Sequence, residues 1–211
     1  MITALLLAAA APGPIEAERA FARDAQRIGQ WTAFRKYALP DAVLFTPQAM
    51  WAHDFLKGRK DPPKSFDWWA TKSFISCDGR TGVNIGDAVT ADGKPMSRFT
   101  TVWQKQEGGQ WRWIYDASKP VGAGGLSART VQAQVVRARC GKAPGAPVIP
   151  PQPLTEKQAR TTPEDSGRGE SADKTLGWDW KVEKDGTRYF RVFLWTGTRY
   201  AQALYEKTPA E

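Results

Sequence analysis

The sequence predicts an α+β chain: helices first, antiparallel strands next, and a small antiparallel β meander at the C-terminus. Three observations carry this. Apolar residues recur at helical spacing over residues 16–28. Phe99, Thr101 and Trp103 alternate with their neighbours at period two, as a strand with one buried side requires. Leu176, Trp178, Trp180 and Val182 repeat that alternation near the end of the chain.

Residues 2–11 read ITALLLAAAA, an unbroken apolar run. A bilayer span needs about 20 residues. The run has the length of a signal-peptide core, with small Ala9, Ala10 and Ala11 placed before Pro12. Residues 1–11 are therefore expected to be removed on export to the periplasm or medium. No Lys or Arg precedes the run, so a buried N-terminal helix is the competing interpretation. No other segment reads as membrane-spanning.

A helix is expected over 16–28, with Ala17, Phe21, Ala25 and Ile28 on one face and Glu18, Arg19, Arg23 and Arg27 mostly off it. Gly29 ends it. A second short helix over 30–38 carries Trp31, Phe34 and Tyr37, and Pro40 closes it. Brief strands are expected at 43–45 and 50–55, while 65–71 is ambiguous. Longer strands follow at 73–77, 82–89, 97–106 and 110–117, separated by Asp-Gly or Gly-Gly turns. In the last of these Trp111, Trp113 and Tyr115 are expected on one face.

Residues 121–173 read as a linker or extended wrap. Within them 127–139 is a strand or short helix, 143–163 is rich in Pro, Ala and Thr, and 167–173 is polar and loose. Residues 174–211 read as a three-stranded meander, too small to stand alone and expected to pack on something else. The domain scheme is thus 1–11, 16–120, 121–173 and 174–211.

The hydrophobic share of 41% and charged share of 25% are those of a folded chain. Ten Trp suit cores, pocket walls and interfaces alike. The net charge of +8 is uneven, because residues 121–160 carry six basic side chains and one acidic. No dense basic run or nucleic-acid motif accompanies it, so a solvated basic surface is expected rather than nucleic-acid binding. Cys77 and Cys140 are the only cysteines. In an exported protein they read as a disulfide, or else as two buried thiols.

The stretches Glu18-Arg19-Ala20-Phe21, Gln30-Trp31-Thr32-Ala33-Phe34, Ser76-Cys77-Asp78-Gly79, Thr100-Thr101-Val102-Trp103 and Trp111-Arg112-Trp113 resemble a bacterial branch of the nuclear transport factor 2-like (SnoaL-like) superfamily. The resemblance covers residues 16–120. It implies a cone-shaped, curved antiparallel sheet closed by N-terminal helices, with a pocket on the concave face. It also implies that the C-terminal meander is an extension carried by this branch. Relatives of this fold use such pockets for isomerisation, dehydration, ring closure or plain binding, so the resemblance leaves function open.

Enzymes of this fold work by acid–base chemistry in an apolar cavity. His53 is the only histidine and either sits at a pocket mouth or is an ordinary surface residue. Asp116 ends a run of aromatic residues and is either a base of raised pKa or a cap on the turn before Pro120. Asp78 reads as a turn residue, and Asp67 is a further candidate for the cavity. A nucleophile elbow, a phosphate loop, a dinucleotide fingerprint and metal-ligand spacing are all missing, so no cofactor and no metal are expected. The favoured expectation is a binding or structural module walled by Trp31, Phe34, Phe45, Trp68, Trp69, Trp103 and Trp113. Its partner would be a small, partly apolar molecule, and a homodimer is compatible with it. The alternatives are a cofactor-free lyase or isomerase using Asp116 or His53, and a surface-interaction protein using the basic stretch 129–142.

Overall fold

The computed structural model describes residues 13–45, 48–121, 125–129, 132–146 and 166–210. The expected signal segment and most of the Pro-rich stretch 143–163 lie outside them. Among the described residues no helix is long and apolar enough to cross a membrane.

Helix α1 (Pro14–Ile28) starts at Gly13, whose N–H donates to Glu16 Oε2 at 3.0 Å. Its buried side carries Phe21, Ala22 and Ala25, and also Glu18, which the helical pattern had assigned to the polar side. Glu18 lies three, four and seven residues before those positions, so it falls on the same stripe. Gly29 turns the chain into α2 (Gln30–Tyr37) at φ +104°. A Cβ there would also strike the Asp61 carboxylate at 2.4 Å. That carboxylate accepts from Thr32 N and Thr32 Oγ1 at 3.0 and 2.6 Å, satisfying the start of α2.

The first sheet comprises β1 (Ala38–Phe45), β2 (Ala49–Trp51), β3 (Asp67–Ile75), β4 (Thr81–Val89), β5 (Pro95–Lys105), β6 (Trp111–Pro120) and β7 (Gln134–Arg137). Its order is β2-β1-β6-β5-β4-β3-β7. It is mixed rather than purely antiparallel, because β1 runs parallel to β6 and β7 parallel to β3. Both parallel neighbours are distant in sequence, so no local turn signal announces them. The expected strand at 50–55 is β2 followed by a one-turn helix, α3 (Ala52–Leu56), whose Ala52 and Leu56 are buried four residues apart. The ambiguous 65–71 belongs mostly to β3.

A second sheet, β11-β10-β9-β8, is built from β8 (Ser166–Glu170), β9 (Leu176–Val182), β10 (Arg188–Trp195) and β11 (Tyr200–Thr208). It has four strands where three were expected, since residues read as loose form β8. Gly167 pairs with Trp180 and Gly169 with Trp178. The indoles lie so close to these glycines that any side chain there would collide with them. Strand propensity is absent from β8 because its stabilising bulk sits on its neighbour.

The result is three layers. The helices cover one face of the first sheet around Phe21, whose ring centroid is 4.7 Å from Phe34 and 4.8 Å from Trp68. The second sheet covers the opposite face around Tyr115, Trp180 and Val192. Each buried Phe or Leu contributes about 1.5–3 kcal/mol. Tyr115 stacks on Phe190 at 4.6 Å. Glu206 ties the sheets together by accepting from Lys119 Nζ at 2.8 Å and Thr100 Oγ1 at 2.5 Å. Cys77 and Cys140 form a disulfide with Cα atoms 5.1 Å apart, closing a loop of sequence separation 63. Such a closure is worth about 4 kcal/mol in the chain-entropy account.

Tyr115 does not share a face with Trp113. β5 and β6 pair Trp103 with Trp113 but Val102 with Tyr115, so Ile114 is an extra residue, a β-bulge. Beyond the bulge the alternation reverses. Tyr115 and Ala117 face the second sheet, while Asp116 and Ser118 face the helices.

Candidate functional site

Between the helices and the first sheet lies a chamber of about 160 Å³. Phe21 of α1, Trp31 and Phe34 of α2 and Phe55 of α3 form its helix side. Phe66, Trp68, Phe99, Leu44 and Phe45 continue the wall, with Ala88 and Met96 between them. Its polar lining includes Ser97, Ser118 and Asp116, and Asp116 is the one ionisable residue among the described residues lining it.

The bulge at Ile114 brings Asp116 here. It lies inside β6, which runs to Pro120, so it caps no turn. Its cross-strand partners are Thr101 on β5 and Leu44 on β1. Thr101 Oγ1 donates to Asp116 Oδ2 at 2.9 Å. The carboxylate is half-buried in that its accessible surface opens on the chamber. Burial pushes its pKa up to about 6, against the opposing pull of the Thr101 hydrogen bond and the Arg188 charge.

A second carboxylate stands behind the wall. Glu18 is 1% exposed. Its Oε1 accepts from Trp68 Nε1 at 2.8 Å, and its Oε2 accepts from Trp103 Nε1 at 2.6 Å and Asn84 Nδ2 at 3.1 Å. Burial raises its pKa to about 7, and those three donors work in the opposite direction. Glu18 thereby holds Trp68, whose other side lines the chamber.

Of the residues anticipated as walls, Trp31, Phe34, Phe45 and Trp68 line the chamber. Trp103 and Trp113 are sealed behind it, each 0% exposed. Trp69 turns to the opposite face of β3, with the Arg129 guanidinium 5.6 Å from its ring. His53 is exposed on α3, its Nε2 3.1 Å from Leu39 O, and is not among the lining residues. Asp67 pairs with Arg129 at the surface instead of entering the chamber, and Asp78 accepts from Ser76 Oγ and Arg80 N within its turn. Of the basic stretch 129–142, Arg129 is engaged by Asp67 and Arg137 by the carbonyls of Ser76 and Cys77.

Phe21, Phe55, Phe66 and Phe99 were not anticipated as walls, nor Glu18 as a buried support. Phe99 shared the alternation of Thr101 and Trp103, which was the available sign. Among the described residues no cluster of side chains suited to a metal ion occurs.

Two solved structures share part of this backbone arrangement. One is a candidate ketosteroid isomerase from Parabacteroides distasonis, 15% identical, covering 52% of this chain and 89% of that one, with a TM-score of 0.40. The other is a candidate ketosteroid isomerase from Shewanella frigidimarina, 13% identical, covering 52% of this chain and 98% of that one, with a TM-score of 0.37. No protein-family model and no curated protein matches the chain.

Proposed function

We propose that this chain is an exported, nuclear transport factor 2-like binding module that holds a small, partly apolar molecule between its helices and first sheet. The observation that carries the reading is the chamber itself: an aromatic-walled space with a single ionisable group among the described residues of its lining. Its size sets the ligand's scale. A dry cavity of about 150 Å³ accommodates benzene, so a molecule of one ring or a short branched chain fits here. The order of helices and strands supports membership of the superfamily. The disulfide supports an oxidising compartment, as does the apolar leader of the sequence.

Titration of the protein with monocyclic molecules, followed by tryptophan fluorescence and calorimetry, tests the reading. Saturable one-to-one binding that Ala88→Leu abolishes is expected, because Ala88 lines the chamber and the larger side chain would fill it. Binding unaffected by that substitution in a folded protein would overturn it.

One observation favours a second reading, a cofactor-free isomerase or lyase. Asp116 has a pKa of about 6 inside an apolar chamber, suited to a general base near neutral pH. Such chemistry also needs donors for the developing oxyanion, and the lining includes the hydroxyls of Ser97 and Ser118 and the indole of Trp31. Exchange of the α-hydrogens of small cyclic ketones in heavy water, read by NMR and lost in Asp116→Asn, would establish it. An exchange rate equal to that of buffer would reject it.

A further inference from the structure

The charges around the chamber select among small ligands. Among the described residues its lining presents Asp116 from the sheet side and no basic side chain. Glu18 adds a second carboxylate behind Trp68. Aromatic faces carry the negative end of a quadrupole and attract cations within about 6 Å. The Trp68 indole donates its N–H to a carboxylate, which enriches the ring further. Two rings of the same wall already hold a cation on their solvent side. The Arg59 guanidinium carbon lies 3.8 Å from the Phe55 centroid and 5.3 Å from that of Trp31.

We propose that the ligand is a small organic cation, an ammonium on a body of about one ring, with its nitrogen against Asp116 and its apolar part among the rings. This rests on the binding reading above. An anionic ligand would meet the Asp116 carboxylate, with Glu18 behind the wall, in a medium of low dielectric constant. A neutral ligand would leave Asp116 with only the Arg188 charge acting on it, whereas a cation in the chamber adds a direct partner.

Binding of this kind depends on the ionisation of Asp116. Arg188 from β10 is the charge that acts on it, and Asp116 in turn raises the pKa of Glu18 on α1 and of Tyr115 beside it on β6. β1 and β5 present the uncharged Leu44 and Thr101. A cation favours the ionised form, so affinity should be constant well above pH 6 and fall as Asp116 takes up a proton.

The experiment is a calorimetric titration of the full chain with benzylamine, benzyl alcohol and benzoate, which share one ring and differ in charge. At a pH well above the Asp116 pKa, benzylamine should bind at least about tenfold more tightly than benzyl alcohol, the margin of a charge-assisted hydrogen bond. That preference should shrink below the pKa and disappear in Asp116→Asn. The wild-type pH profile provides the readout should the variant fail to fold. Equal or tighter binding of benzyl alcohol or benzoate would overturn the cation while leaving a binding module. A preference for benzylamine that ignores both pH and Asp116→Asn would also overturn it. Failure of all three to bind, with the tryptophan emission unmoved, would overturn the binding reading itself.

Discussion

Thr101 and Asp116 are direct partners in the β5–β6 register, and the hydroxyl of one donates to the carboxylate of the other at 2.9 Å. The bond stabilises the charged form of Asp116 while burial stabilises the neutral form, and burial prevails. Thr101→Val keeps the shape of the side chain and removes the donor. The Asp116 pKa should then rise above its value of about 6. Carboxyl-carbon NMR titration measures this directly, and an unchanged or lower value would contradict the pairing.

The raised Asp116 pKa has a consequence for stability. The unfolded chain holds this proton less tightly than the folded one, 3.8 against about 6. The favourable term is therefore complete below pH 3.8 and is lost as pH rises through about 6. A shift of this size corresponds to about 3 kcal/mol. Glu18 acts with the same sign, its pKa raised from 4.5 to about 7. The fold should be more stable in mild acid than at neutral pH. Asp116→Asn should gain up to about 3 kcal/mol in neutral solution and nothing in acid. Urea unfolding at several pH values provides the check, and a variant equally stabilised at every pH would refute the assignment.

Glu18 is the acceptor for three buried donors, the indoles of Trp68 and Trp103 and the amide of Asn84. Glu18→Ala leaves all three without that acceptor and opens a cavity, so the loss should exceed about 3 kcal/mol. Glu18→Gln keeps one carbonyl oxygen and should lose less. The order of the two variants in chemical denaturation, with a shift of tryptophan emission in both, tests the network. Equal losses would mean that packing alone matters at this position.

The parts of the fold that were legible in the sequence are those whose periodicity is unbroken. α1 and α2 and the long hairpins follow from the spacing of Phe21, Ala25, Phe99 and Trp103. The parallel neighbours of β1 and β7 were not legible, because their partners are chosen by the tertiary fold. The site shows the same division. Its aromatic character was visible in Trp31, Phe34, Phe45 and Trp68. Which ring faces the chamber depends on strand register, and one extra residue at Ile114 reverses it. That reversal sends Tyr115 to the second sheet and Asp116 to the chamber. Period-two reading across the bulge gives the opposite answer for both.

The edge strand β8 offers a separate test of the second sheet. Gly169 lies beneath Trp178, and a Cβ built on it would come within 2.1 Å of the indole. Gly167 stands in the same relation to Trp180, at 2.4 Å. Both indoles are buried in the core shared by the two sheets, so neither can swing aside without vacating space beside Tyr115 or Val192. Gly169→Val should therefore destabilise the fold by about 1–3 kcal/mol despite the high strand propensity of valine. The effect should be local before it is global. Backbone amides of β8 should lose hydrogen-exchange protection while those of β5 and β6 keep theirs. If Gly169→Val instead raised both stability and protection, propensity would outweigh the close approach, and the account of why residues 166–170 form a strand would fail.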